Sequence, residues 1–228
     1  ASFDNVDIWI LTDIVAPPRP TAVPLPAPAA DTVDLLAAMQ ATPPTVSDFF
    51  AVDTGLWRLV DSLAINTQIK ETLDVTVSEP TTLGFVNRTG TRADDFLVEV
   101  DAWLDDGETP GRYGIAFRMA DGENYYLYLL DDGGHAGLWR YDDGEPTALI
   151  PFSNVPGTKT APGRNRLGVL AQGDALTLLL DGAAIATVVD ATHGSGDLAL
   201  VAGTFDATPV VAHFDDFNEW RLPASAQR

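Results

Sequence analysis

A recurring Asp-Gly pair constrains the fold of this chain more than any other sequence feature. Asp-Gly readily adopts the positive φ angles that tight β-hairpin turns require. Segments of strand length separate the pairs, and no helical pattern lies between them. The pairs are Asp106-Gly107, Asp121-Gly122, Asp132-Gly133, Asp143-Gly144 and Asp181-Gly182. Turns at this spacing predict an all-β fold, a meandering antiparallel β-sandwich.

The segments that these turns delimit are rich in β-branched and aromatic residues, as strands are. Pairing two of them through the Asp121-Gly122 turn places Phe117 opposite Tyr126. The predicted strands are Phe96–Leu104, Tyr113–Met119, Asn124–Leu130, Ala136–Tyr141, Arg166–Ala171, Ala175–Asp181, Ala184–Val189, Asp197–Ala202 and Val210–Leu222.

The first part of the chain has a different character. Half of the 16 prolines lie between Pro17 and Pro44, a density that favours polyproline II and a semi-rigid spacer. We therefore divide the chain into an N-terminal proline-rich arm, residues 1–45, and a sandwich, residues 46–228.

One short helix is predicted within this arm. The segment 31–40 contains apolar residues at helical spacing, and Asp31 is placed to act as its N-cap. Asp34 could complete an arrangement like a capping box, and Pro43 prevents the helix from extending further.

Composition excludes several classes of function. The formal net charge of −20 repels nucleic acid and anionic membranes. The absence of cysteine excludes disulfides and thiolate metal sites. The apolar run Ile8–Leu11 is too short to span a bilayer, so no membrane insertion is expected. Because many exported bacterial proteins lack cysteine, and the chain begins at Ala1 rather than at methionine, we expect a secreted or cell-surface location.

Several motifs resemble bacterial concanavalin A-like lectin/glucanase domains, also described as laminin-G-like or keto-disaccharide-hydrolase-like. The resemblance extends over residues 46–222 and implies a jelly-roll sandwich. The segments that carry it are Asp48-Phe49-Phe50, Gly55-Leu56-Trp57, Phe96–Ala102, Tyr113–Arg118, Asn124–Tyr128, Asn165-Arg166-Leu167, Gly173–Gly182, Gly196-Asp197-Leu198 and Phe214–Phe217.

The resemblance raises the question of glycosidase activity. Glucanases on this fold carry catalytic carboxylates on one strand as Glu-x-Asp-x-Glu, and here the candidate strand reads Glu99-Val100-Asp101-Ala102-Trp103. Two carboxylates share a face, but Trp103 replaces the third. A retaining glycosidase needs a nucleophile and an acid on opposite sides of the scissile bond. We therefore favour a protein that is not an enzyme, and a glycoside hydrolase stays an alternative.

The resemblance also implies a structural calcium ion where the last strand passes the first. Asp215 or Asp216 matches that position, and Asp48 is a partner near the start of the sandwich. Carboxylate and carbonyl oxygens are the ligands that calcium prefers. The alternative is that these aspartates face solvent.

A glycan site is the remaining chemical hypothesis. If alternate residues share a face, the strands present a polar sheet surface with aromatic rings for stacking and charged groups for sugar hydroxyls. Trp139 and Tyr141 are expected on the opposite, core face. The alternative without a ligand is that Arg118 and Arg140 form cross-strand ion pairs with Glu99 and Asp101. The candidate residues are Glu99, Asp101, Trp103, Arg118, Tyr125 and Arg140.

The strand predicted at residues 5–15 must pair with a sheet, because a strand joined to a body by a proline spacer cannot stay single. Adding to the sheet edge of a neighbour would join copies of the chain head to tail. The leading hypothesis is therefore a self-assembling structural or adhesive subunit, and the alternative is a polysaccharide-binding module tethered by its linker. The arm residues expected to make the contact are Val6, Ile8, Trp9, Ile10, Leu11 and Ile14.

Overall fold

The structure is a computed structural model, and it describes residues 25–90, 92–105 and 109–222. These residues form one helix and a series of strands. They are α1 (Ala30–Gln40), β1 (Val46–Asp48), β2 (Ile65–Ile69), β3 (Leu73–Val77), β4 (Leu83–Asn87), β5 (Phe96–Leu104), β6 (Gly111–Met119), β7 (Tyr125–Asp131), β8 (His135–Asp142), β9 (Glu145–Asn154), β10 (Asn165–Gln172), β11 (Ala175–Leu180), β12 (Ala183–Val189), β13 (Asp197–Thr204) and β14 (Val210–Arg221).

The strands form two antiparallel sheets that pack face to face. The eight-stranded sheet has the order β12-β11-β10-β5-β14-β3-β2, with β1 also paired to β14. The six-stranded sheet has the order β4-β13-β6-β7-β8-β9. The predicted all-β jelly-roll sandwich with one short helix is thereby confirmed. No helix among the described residues is long and apolar enough to cross a membrane.

Each of the nine strands predicted between residues 96 and 222 is present with its ends moved by at most two residues, but β1 to β4 and β9 were not predicted. The strand predicted at residues 5–15 lies outside the described residues. β9 carries Pro146 and Pro151, which argue against a strand inside a sheet. It lies at an edge of the six-stranded sheet, where a missing N–H donor is tolerated. β2 lies at an edge of the other sheet and has only two apolar residues, Ile65 and Ile69, in five positions.

Two of the Asp-Gly pairs form the predicted two-residue hairpin turns. Asp143 and Gly144 have φ angles of 51° and 80° and connect β8 to β9. Asp181 and Gly182 have φ angles of 48° and 78° and connect β11 to β12. Positive φ at both turn residues is the geometry that matches the twist of the paired strands.

The main core lies between the two sheets. Phe117 is opposite Tyr126, as predicted, and their rings stack with centroids 5.3 Å apart. Phe96 meets the edge of the Phe117 ring from the eight-stranded sheet. Burial of these inward side chains supplies most of the driving force for folding.

The outer face of the six-stranded sheet is also apolar, and this corrects the predicted faces of β8. Tyr125 pairs with Tyr141 and Leu127 with Trp139, so both β8 aromatic residues share the outer face with Tyr125. The prediction was wrong because Tyr126 lies opposite Arg140 rather than opposite an aromatic residue of β8, and a shift of one residue in register exchanges the two faces of a strand. The rings of Tyr125 and Tyr141 stack at 4.5 Å.

Helix α1 packs on the outer face of the eight-stranded sheet. Leu36 and Met39 enter a buried cluster with strand residues that include Leu97 and Trp220, and the Trp220 indole Nε1 donates to the Thr42 carbonyl at 2.8 Å. The helix therefore contacts the sandwich although it lies in the predicted arm. The boundary at residue 45 stays a prediction.

The predicted N-cap of this helix was wrong. The helix begins at Ala30 after Ala29, and no side chain caps it. Asp31 lies within the first turn instead, where its charge suits the positive end of the helix dipole. Asp34 therefore completes no capping box.

The described part of the chain begins at the edge of the eight-stranded sheet. Leu25 packs against the main core, and the Thr187 amide on β12 donates to the Pro26 carbonyl at 3.1 Å. The predicted contact residues of the arm, Val6 to Ile14, lie outside the described residues.

A side chain at Gly114 on β6 would meet the backbone of β7, so replacing this glycine tests the contact between the two strands. A Cβ atom there would lie 1.9 Å from the Tyr128 carbonyl oxygen, a backbone atom that cannot move without breaking the ladder. We expect Gly114→Ala to lower the free energy of unfolding by at least about 3 kcal/mol, at the upper end for overpacking. Chemical denaturation followed by tryptophan fluorescence measures the loss.

Gly194 supplies the matched control, because a Cβ atom there meets nothing within 4 Å. Gly194→Ala should change the free energy of unfolding by no more than about 0.5 kcal/mol. Equal stabilities of the two variants would contradict the close approach at Gly114.

Candidate functional site

The strand β5 carries three candidate residues on the outer face of the eight-stranded sheet. Glu99, Asp101 and Trp103 alternate along the strand, so they point to the same side. β5 lies between β10 and β14, which surround these side chains with basic and acidic partners. The prediction that the two carboxylates share a face with Trp103 fits this arrangement.

Arg166 on β10 connects the carboxylates of this face. Its guanidinium lies 3.3 Å from a Glu99 carboxylate oxygen, 3.0 Å from Asp101 and 2.7 Å from Asp216. The second Glu99 oxygen accepts a hydrogen bond of 2.9 Å from the Gln40 amide of α1. Burial lowers the pKa of Arg166, but the carboxylates outweigh it and the pKa is raised. Arg166 therefore stays charged and both carboxylates on β5 are held by ion pairs.

The Trp103 ring lies between two other side chains. The His213 ring stacks on it with centroids 5.1 Å apart and planes 21° apart. The Arg164 guanidinium carbon lies 3.8 Å from the centroid of the Trp103 ring, within the range of a cation–π contact. Arg164 also bonds to Asp215 at 3.1 Å. We call Asp101, Trp103, Arg164, His213 and Asp215 the Trp103 surface.

Carboxylates fix the histidine of the Trp103 surface. The two ring nitrogens of His213 each lie 2.8 Å from a carboxylate oxygen, one of Asp74 and one of Asp105. The imidazole cannot rotate without losing both contacts, so its plane is set parallel to the indole. The stacked pair is therefore pre-organised.

The Trp103 surface is partly open to solvent. The Arg164 side chain, which contacts the Trp103 ring, is 49% exposed and forms an ion pair with Asp215. Exposed pairs of this kind contribute little to stability. A ligand ring can therefore displace Arg164 from Trp103 at low cost, and the nearby carboxylates offer hydrogen-bond acceptors.

Arg118, Tyr125 and Arg140 do not belong to this surface, and the prediction of one continuous glycan face was wrong. All three lie on the six-stranded sheet, whereas Glu99, Asp101 and Trp103 lie on the other. The prediction joined strands that are consecutive in sequence, but the fold places β5 and β6 in different layers. Tyr125 is fully buried against Tyr141.

Arg118 is a structural residue. Its guanidinium donates to the Asp94 carbonyl at 3.0 and 2.7 Å, to His193 O at 3.2 Å and to Gly173 O at 2.8 Å. It is also in an ion pair with Asp95 at 3.3 Å. These bonds connect three loops at one end of the sandwich. Glu99 and Asp101 do form cross-strand ion pairs, but their partner is Arg166 rather than Arg118 or Arg140.

Arg140 pairs with Asp190 in a second polar network. Asp190 accepts from the Arg140 guanidinium at 2.7 Å and from the Tyr126 hydroxyl at 2.6 Å, and the Thr192 amide donates to it at 3.0 Å. Burial raises the pKa of Asp190, but the hydrogen bonds from Tyr126, Thr192 and Arg140 outweigh it and lower the pKa to about 2. The network joins the two sheets at one edge.

The carboxylates proposed for calcium are held by protein donors. Asp48 accepts from Phe50 N at 2.9 Å, Thr54 Oγ1 at 3.1 Å and Trp57 Nε1 at 3.2 Å. Asp215 and Asp216 face Arg164 and Arg166. Among residues 25–90, 92–105 and 109–222, no group of three acidic or histidine side chains could hold a metal ion. A structural calcium ion stays a prediction that this geometry does not support.

Sequence reasoning missed Arg164, Arg166 and His213. Turn spacing identifies hairpins, but β5 pairs with β10 and β14, which lie far away in sequence. Arg166 could have been found from the sequence, because it stands in the motif Asn165-Arg166-Leu167 that carries the family resemblance.

Several solved structures share the architecture of this chain. No protein-family model and no curated protein matches the chain. A carbohydrate-binding module, CBM66 from Bacillus subtilis, superposes with a TM-score of 0.58 at 18% identity over 72% of this chain and 95% of that chain. A Bacillus licheniformis β-glucanase gives a TM-score of 0.59 at 13% identity over 80% of this chain and 100% of that chain.

A third structure is a Bacillus subtilis protein of unknown function with a galectin-like fold. It gives a TM-score of 0.59 at 12% identity over 79% of this chain and 96% of that chain. At these identities the similarity establishes the fold alone, a concanavalin A-like jelly-roll sandwich.

The Asp190 network predicts a defined pH dependence of stability. A carboxyl group whose folded-state pKa is depressed from 3.8 to about 2 contributes stability above pH 3.8 that is lost as the pH falls through 2. We expect Asp190→Asn to cost on the order of 2 kcal/mol at pH 7, and this difference from the wild type should vanish near pH 2. Urea denaturation across this range measures it.

Asp206 lies in an exposed loop and provides the control. Asp206→Asn should follow the wild type at every pH. A deficit of Asp190→Asn that persisted unchanged at pH 2 would show that the ionised carboxylate is not its cause.

Proposed function

We propose that this chain is a carbohydrate-binding domain that binds polysaccharide at the Trp103 surface, outside the cell. The observation that carries the proposal is a fixed, partly exposed indole among ionised side chains on the open face of a β-sheet. Sugar rings present C–H groups to an aromatic face and hydroxyl groups to its rim, so they match such a surface. The shared fold with a carbohydrate-binding module supports the proposal.

The charge of the protein narrows the class of polysaccharide. With a net charge of −20, the chain repels acidic glycans at low ionic strength. The Trp103 surface itself carries Arg164 beside Asp101 and Asp215, and Asp74 and Asp105 hold its histidine, so carboxylates outnumber guanidinium groups there as well. A neutral polysaccharide fits both conditions.

The geometry argues against a glycoside hydrolase at β5. A retaining mechanism needs one carboxyl group that carries a proton and a second that attacks from the other side of the bond. Glu99 and Asp101 lie on one face of β5 and both bind the Arg166 guanidinium, so they do not stand on opposite sides of a bond. We therefore propose binding without bond cleavage.

Self-assembly through the arm was the leading hypothesis of the sequence analysis, and it stays a prediction. Its contact residues lie outside the described ranges, so nothing in the sandwich supports it directly. The carbohydrate proposal stands on described side chains, and for that reason we place it ahead.

Binding to polysaccharides tests the proposal directly. We expect the full chain to bind at least one polymer in a panel of glucans, xylans and mannans, measured by affinity electrophoresis and calorimetry. Trp103→Ala should weaken that binding about tenfold or more, since a stacked ring contributes on the order of 1 kcal/mol beyond its area. The apparent melting temperature shows whether the variant is folded.

Arg58 is exposed and lies outside the Trp103 surface, so Arg58→Ala is the matched surface control and should bind as the wild type does. Arg164→Ala should keep binding or strengthen it, because it uncovers the indole. Failure of the wild type to bind any neutral polymer, or unchanged binding by a folded Trp103→Ala, would refute the proposal.

A further inference from the structure

The outward side of the six-stranded sheet is buried, although it lies on the outside of the sandwich. Twelve hydrophobic side chains form a cluster there, and none of them is more than 7% exposed. Every one of the twelve belongs to β4, β6, β7, β8, β9 or β13. We call this group the outer cluster, and it includes Phe85, Tyr125, Leu127, Trp139, Tyr141 and Phe152.

The outer cluster needs a covering layer. The outward side of a sheet is protected from water only where another layer of protein packs on it. Within residues 25–90, 92–105 and 109–222, helix α1 packs on the other sheet, and no hydrophobic side chain from outside the six strands joins the outer cluster. The cover therefore comes from no helix or strand in this part of the chain.

Arg112 of β6 requires a particular chemistry from this cover. Its side chain is 1% exposed, its guanidinium carbon lies 4.8 Å from the centroid of the Phe205 ring, and it donates to the Thr204 carbonyl at 3.1 Å. Its Nε and Nη1 atoms have no hydrogen-bond partner in the described part of the chain. Burial lowers the pKa of Arg112 to about 10, although Tyr141 and Asp131 act to raise it. A buried guanidinium in this state is stabilised by a carboxylate.

The carboxylate across the strand from Arg112 is engaged elsewhere. Asp131 lies opposite Arg112 in the ladder between β6 and β7. It accepts a hydrogen bond of 2.8 Å from the His135 amide and lies 3.0 Å from the His135 ring nitrogen Nδ1. The Tyr125 hydroxyl of the outer cluster also has no partner among the described residues. The missing cover is therefore largely apolar and carries an acidic group.

Residues 3–14 of this chain have that composition. Seven of these twelve residues are apolar, three are aspartates and none is basic. The apolar ones include the run Ile8–Leu11, and the aspartates are Asp4, Asp7 and Asp13. Burial of large aliphatic and aromatic side chains is favourable by about 1.5–3 kcal/mol each, so such a segment gains most by packing on an apolar surface.

The described chain begins at the side of the sandwich next to this sheet. The Pro26 carbonyl accepts from the Thr187 amide of β12. Asp190, directly after β12, pairs with Arg140 of β8 at 2.7 Å. The β12 edge of one sheet therefore lies beside the β8 and β9 edge of the other, and residues before 25 start from there.

We infer that residues 3–14 pack on the outer cluster of their own chain and that one of their aspartates pairs with Arg112. Residues 14 and 25 are eleven positions apart, a reach of up to roughly 36 Å, and a six-stranded sheet is only roughly 24 Å across. The segment can thus reach every strand of the sheet. The Trp103 surface lies on the other sheet, so the inference is independent of carbohydrate binding.

The two methionines of the chain provide a direct test in the full-length protein. Met119 belongs to the outer cluster, whereas Met39 lies in the cluster under α1 on the other sheet. Both are replaced by the diazirine analogue photo-methionine, and cross-links formed on irradiation are mapped by mass spectrometry. We expect residues 3–14 to cross-link to position 119 and not to position 39, which is the internal control.

Three results of this experiment would overturn the inference. Cross-links from position 119 only to neighbouring strands would show that another layer covers the outer cluster. Equal cross-linking of residues 3–14 to both positions would show that the segment has no fixed place. In a mixture of isotopically labelled and unlabelled chains, cross-links between the two kinds would identify a second copy as the source of the segment.

The charged contact is tested separately by a double-mutant cycle. D4N/D7N/D13N should lower the folding equilibrium constant at least about tenfold, because the buried Arg112 guanidinium loses its carboxylate. In an Arg112→Met background the same substitutions should lower it less than about threefold, since no buried charge is left unpaired. A loss that is small in the wild type, or equal in both backgrounds, would overturn the pairing with Arg112.

Discussion

A β-bulge at Asp216, where the register between β14 and β5 shifts, sets the arrangement on which the helix contact, the core and the Arg166 network depend. By adding one residue to β14, it turns Phe217 into the core and Trp220 out toward α1. The same turn directs the Asp216 carboxylate to Arg166. Without the extra residue, either the core or the helix contact would lose its aromatic side chain, at a cost of about 3–5 kcal/mol for a buried ring.

Arg166 carries the effect of this bulge across the sheet. It joins β10, β5 and β14 through three carboxylates, and through Glu99 it also reaches Gln40 of α1. The network is only partly buried, and such ion pairs are weak evidence for net stability. The same pairing occupies the carboxylates that a glycosidase would need, so one arginine both organises the sheet and argues against catalysis there.

Local sequence signals predicted those parts of the fold that local interactions form. Asp143-Gly144 and Asp181-Gly182 impose positive φ on two hairpins, so their strands follow from a few residues. The surface around Trp103 could not be derived in this way, because β5 meets β10 and β14 across long intervals of sequence. The faces of Trp139 and Tyr141 depended on a one-residue register, which period-two patterning cannot settle when both faces of a sheet are apolar.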